Sequence, residues 1–110
     1  GRHLYIEAPI PFDVSILGGS IKIPTLEKTI SLKIPSNTQT GKVFRIKGEG
    51  ASMVRDRRRG DILCRVIVET PSNLDKAQLK ALSELTKKLQ PSKNYPGTDI
   101  FLKAISKNKE

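Results

Sequence analysis

Few residues in this 110-residue chain have the type and spacing for bond-making chemistry. A thiolate nucleophile needs a base beside it, and a structural zinc needs four Cys or His ligands. The chain holds one cysteine, Cys64, and one histidine, His3. Cys64 alternates with Ile62 and Val66 in an apolar run, so it reads as a small core residue. A lone thiol suits a reducing compartment, and the expected setting is cytoplasmic. Asp13, Asp56, Asp61 and the glutamates are scattered, with no nucleophile–base pair among them. Gly48-Glu49-Gly50 lacks the Lys-Ser/Thr and the strand–helix context of a phosphate loop, and reads as turn glycines. The sequence therefore predicts no catalytic residue, no metal ligand and no cofactor in this segment.

The residues that remain suit binding. Net charge is +9 and the sequence pI is about 9.9. Arg55, Arg57, Arg58 and Arg59 form a cluster fit for phosphate or for an acidic partner. Single-strand nucleic-acid binders interleave aromatics with such cations. Here aromatics are 5% of residues and none lies between Phe44 and Tyr95. A solvated loop is the plainer reading of the cluster, and nucleic acid is not the favoured partner.

The first 70 residues carry these groups on strands. Leu4, Ile6, Ala8 and Ile10 share one face of a first strand, and Pro9, lacking an N–H, marks it as an edge or as ending there. Phe12–Leu17 is a short apolar knot with room for one helical turn. Segments 20–24 and 29–35 alternate through Ile21, Ile23, Ile30, Leu32 and Ile34, joined by a hairpin loop. A fourth strand spans 42–47, and a polar loop is expected over 51–60. The strongest strand is 61–70, with Ile62, Cys64, Val66 and Val68 on one face and Leu63, Arg65, Ile67 and Glu69 on the other.

After Pro71 the period changes from 2 to 3.6. Ser72 with Asp75 fits a capping box, and Leu79, Leu82, Leu85 and Leu89 mark a stripe expected to be core in a helix near 74–90. Pro91 stops it. Thr98 or Asp99 caps a last helix whose apolar side holds Phe101, Leu102, Ala104 and Ile105. That helix is short enough to be marginal alone, so its apolar side needs its own domain or another subunit. No apolar run approaches the 18 residues of a membrane span.

The order of these pieces resembles the second C-terminal domain of Hsp40 (DnaJ-type) co-chaperones. The resemblance runs through Leu4-Tyr5-Ile6-Glu7-Ala8-Pro9-Ile10-Pro11-Phe12, Leu17-Gly18-Gly19 and Ile23-Pro24-Thr25-Leu26. It continues in Leu32-Lys33-Ile34-Pro35, Thr38-Gln39-Thr40-Gly41-Lys42-Val43-Phe44-Arg45-Ile46-Lys47-Gly48 and Arg59-Gly60-Asp61. It ends in Val68-Glu69-Thr70-Pro71 with Asn73-Leu74 and a helix, an ending similar to the zinc-containing type I members. Arg2-His3 replaces the family's usual Gly-Asp, and the loop 53–58 is unusually basic. The J-domain and the Cys-x-x-Cys repeats are missing, so zinc is expected only in the absent upstream region.

The resemblance implies a mainly β, two-layer β-sandwich with one packed α-helix and a short C-terminal dimerisation helix. It divides the chain into a domain at 1–90 and a dimerisation segment at 91–110. It implies a non-enzymatic chaperone module forming a homodimer, with unfolded polypeptide clients and, through the full-length protein, a DnaK-type Hsp70 as partners. Ile6, Ala8, Ile21 and Ile23 are then the client contacts, although core packing is the plainer reading of their period-2 spacing. Phe101, Leu102 and Ile105 are the dimer contacts. Lys22 joins Arg55, Arg57, Arg58 and Arg59 as a contact for an acidic partner. Two alternatives stand beside this reading: a basic nucleic-acid-binding β-domain and a purely architectural dimerisation module.

Overall fold

The computed structural model describes residues 3–25, 27–47, 52–53 and 56–108, with the backbone alone for 52–53, 56–59 and 108. The chain forms two compact units, Gly1–Pro71 and Ser72–Glu110.

Alternating apolar side chains make the first unit a β structure. Its elements are β1 (Leu4–Pro11), the helical turn α1 (Phe12–Leu17), β2 (Gly19–Pro24), β3 (Thr29–Ile34), β4 (Val43–Ile46), β5 (Ser52–Met53), β6 (Asp56–Arg59) and β7 (Ile62–Glu69). The strongest strand of the sequence, β7, is the centre of a three-stranded sheet ordered β1-β7-β4. It runs parallel to β1, with Leu4 opposite Ile62 and Pro11 opposite Glu69. It runs antiparallel to β4, with Phe44 opposite Cys64. β2 and β3 form a hairpin sheet with Ile21 opposite Leu32.

Both sheets turn one apolar face inward. Ile10, Ile23, Ile34, Ile62, Cys64 and Val66 are buried together, and Leu4, Ile6, Ala8, Ile21, Leu32 and Phe44 pack against them. This is the expected β-sandwich. Residues 51–60 depart from the loop expectation: β5 and β6 pair as a two-stranded ribbon.

The second unit holds α2 (Lys76–Thr86), α3 (Pro91–Asn94) and α4 (Pro96–Asn108). Its starts differ from the expected ones. Asp75, not Ser72, caps α2: it accepts from the Gln78 N–H at 2.8 Å while its own N–H donates to Gln78 Oε1 at 2.9 Å. A reciprocal Asp–Gln box satisfies two otherwise orphaned donors, which Ser72 is one turn too early to do. Pro91 begins α3 rather than merely ending α2, and α4 starts at Pro96 rather than at Thr98 or Asp99. Proline needs no N–H partner in a first turn. Leu79, Leu82 and Leu85, expected in a core, are exposed, and α2 has no buried residue. Three short helices enclose no interior of their own.

Candidate functional site

The ladder geometry fixes which backbone groups the sandwich leaves open. The Leu4 N–H donates to Asp61 O at 2.9 Å. In a parallel ladder every second residue points the same way, so positions 4, 6, 8 and 10 bond β7. Positions 5, 7, 9 and 11 face the free edge, and Pro9 and Pro11 have no N–H to offer there. Only Tyr5 and Glu7 can donate.

The same reasoning applies to β2. The Thr25 N–H donates to Lys28 O at 2.7 Å across the hairpin end. Alternation then turns Gly19, Ile21 and Ile23 toward β3 and leaves Ser20, Lys22 and Pro24 on the outer edge. Ser20 and Lys22 are the donors, and Pro24 again has none.

The four expected client contacts are shared between two sheets that pack on one core. Ile6 and Ala8 lie on the edge strand of one sheet, and Ile21 and Ile23 on the other. All four face inward. Ile23 is 1% exposed and belongs to the core itself, so it is no surface contact here. Ile6, Ala8 and Ile21 are half-buried against that core. Lys22 is exposed on β2. The expected contacts at Arg55, Arg57, Arg58 and Arg59 lie outside the residues whose side chains are described, as does the Gly48–Gly50 turn.

An apolar surface that the period-2 reading undervalued lies on the other face of the three-stranded sheet. Tyr5, Val43 and Ile67 are exposed there and Leu63 is half-buried. With Ile6, Glu7 and Arg65, Tyr5, Val43 and Leu63 line a shallow cavity of about 400 Å³. The register places Leu63 between Tyr5 and Arg45, and Arg65 between Glu7 and Val43. The signal in the sequence was Leu63 and Ile67 on the second face of β7, where a solvated sheet would carry polar residues.

Polar groups tie down one end of this sheet. Asp61, buried at the start of β7, pairs with the Arg45 guanidinium, and its N–H donates to His3 Nδ1 at 2.9 Å. Burial pushes the Cys64 thiol above its ordinary range, which makes it a poorer nucleophile.

On α4, Phe101 is 63%, Leu102 52% and Ile105 37% exposed. Ile100, which the sequence reading left out, is 68% exposed beside them. Lys103 and Asp99, 2.9 Å apart, form an ion pair elsewhere on the same helix. Among the described residues no helix is long and apolar enough to cross a membrane.

The first unit is a two-layer β-sandwich with open strand edges, and the second holds helices with exposed apolar residues. The family model described as the DnaJ C terminal domain matches residues 1–71, the whole of the first unit. The chain belongs to that family and carries a C-terminal domain of a DnaJ/Hsp40 co-chaperone, which is not an enzyme family.

Proposed function

We propose that this module holds two copies of its parent co-chaperone together and helps bind unfolded polypeptide clients for transfer to a DnaK-type Hsp70. The observation that carries the reading is the apolar side of α4, where Ile100, Phe101, Leu102 and Ile105 all stand exposed. A helix of 13 residues is marginal alone in water, and a second copy offers the same patch by two-fold symmetry. Pairing two weak client sites in one dimer raises the effective concentration of the second. The Ser20–Lys22 edge of β2, with half-buried Ile21 behind it, suits an extended client that adds a strand. Lys22 and the basic surface favour acidic partners, chiefly through association rate. The lone, buried Cys64 fits a cytoplasmic setting.

Sedimentation equilibrium tests the dimer. The wild-type chain is expected to sediment as a dimer that Phe101→Asp converts to a folded monomer. A wild type that remains monomeric at every concentration, or a Phe101→Asp variant that still dimerises, overturns it. The client half of the proposal is tested by titration with unfolded peptide.

A further inference from the structure

We infer that His3 is a pH-sensitive latch on the edge strand β1: its neutral imidazole closes the first rung between β1 and β7, and protonation opens that rung. The acceptor is what sets the rung apart. The Asp61 carbonyl accepts from the Leu4 N–H at 2.9 Å, an ordinary parallel-ladder bond. One further step of the ladder would bring a backbone carbonyl to the Asp61 N–H. That N–H donates instead to His3 Nδ1, also at 2.9 Å. A side chain therefore stands where the strand would otherwise supply main chain, and it holds the buried residue that leads into β7.

An imidazole accepts at Nδ1 only while that nitrogen keeps its lone pair, with the proton on Nε2. Imidazolium donates from both nitrogens and cannot hold the Asp61 N–H. His3 is exposed, so solvent protons reach the ring directly. A backbone carbonyl in the same place would not titrate, whereas imidazole is the side chain whose charge ordinarily changes between about pH 5 and 8. Among the described residues, the charged groups at this end of the sheet are Asp61, Arg45 and Lys47, with Glu7 further along β1. The Asp61 carboxylate is paired with Arg45. As an anion on the same residue, it gives a protonated ring a second place to turn, a move that Arg45 and Lys47 oppose by like charge. In either position of the ring, the backbone N–H has lost its acceptor. The edge strand then loosens from Leu4, while the far end, where Ile10 lies opposite Val68, keeps its ladder.

The test is NMR of the isotope-labelled 110-residue chain, taken from about pH 8 to about pH 5. The readout is the exchange protection of the Asp61 amide, corrected for the intrinsic effect of pH on exchange. Protection is expected to fall about fivefold, the worth of one ordinary hydrogen bond, at the midpoint where the His3 ring carbons titrate. The Val66 amide, which donates to Lys42 O, is expected to keep its protection. His3→Asn keeps an acceptor oxygen that does not titrate and is expected to stay protected throughout. His3→Ala is expected to show the low value at both ends of the range. Constant protection of Asp61 while the His3 ring titrates overturns the latch. An equal fall in His3→Ala, which has no imidazole, overturns it as well and assigns the change to the Asp61 carboxylate.

Discussion

Gly18 joins α1 to β2 and is the position where one methyl group is expected to do most harm. Its backbone sits at φ 86°, ψ 168°, a region that only glycine enters freely. A Cβ there would stand 3.1 Å from Ser36 N and 3.2 Å from Ile34 O. Those are backbone atoms on a segment that cannot retreat. Ile34 is core, the Asn37 N–H donates to Ile16 O at 3.1 Å, and the Thr38 N–H donates to Ser15 O at 2.7 Å. Backbone strain costs about 1–3 kcal/mol and crowding a packed site about 1–3 more. For a domain this small each ~1 kcal/mol lowers Tm by about 4–8 °C, so Gly18→Ala is expected to lose more than about 10 °C. Gly41 separates the two effects: its φ is 91°, but nothing lies within 4 Å of an added Cβ. Gly41→Ala should therefore show strain alone, about 1–2 kcal/mol. Thermal melts by circular dichroism decide it. A Gly18→Ala protein melting with the wild type, or a Gly41→Ala protein equally damaged, refutes the crowding argument.

Ile62→Ala, at a fully buried core position, is expected to cost about 2–5 kcal/mol by urea titration, whereas Ile100→Ala should leave the stability of the first unit unchanged. Asp75→Ala removes the reciprocal cap of α2 and is expected to cost that helix about 1 kcal/mol, read as faster amide exchange in its first turn. Burial raises the Cys64 thiol above 9.0, so below that pH both folded and unfolded states keep the proton and stability is flat in this group. Above it the unfolded thiol ionises first and stability falls as pH rises. Comparing alkaline urea titrations of wild type and Cys64→Ala should show a shallower decline in the variant.

Most of the sandwich was legible because one periodicity carries it. Ile62, Cys64, Val66 and Val68 alternate so regularly that β7 and its inward face follow from spacing alone, and Pro9 on β1 marked the edge correctly. Partner choice was not legible. Strands β1 and β2 look like neighbours in the chain, yet β1 pairs with β7 some 60 residues on in register, a contact no local pattern reports. Ile6 and Ile21 thus belong to two sheets while packing against the same core. The apolar spacing of Leu79, Leu82 and Leu85 correctly foretold a helix, but amphipathic spacing names the face to be covered and not what covers it. The same gap hid Ile100. The cap moved from Ser72 to Asp75 because Gln78 serves as well as glutamate in returning the second hydrogen bond.

The prolines at the open edges have a consequence for the fate of chains that stick. An unpaired strand can seed growth: each added chain presents a fresh row of donors and acceptors to the next. On β1 a newcomer meets donors at Tyr5 and Glu7 and then none at Pro9 and Pro11; on β2 it meets Ser20 and Lys22 and then none at Pro24. Docking is allowed for two rungs and propagation is starved after them. A strand that docks on either edge can thereby be held without the domain becoming the nucleus of a fibre.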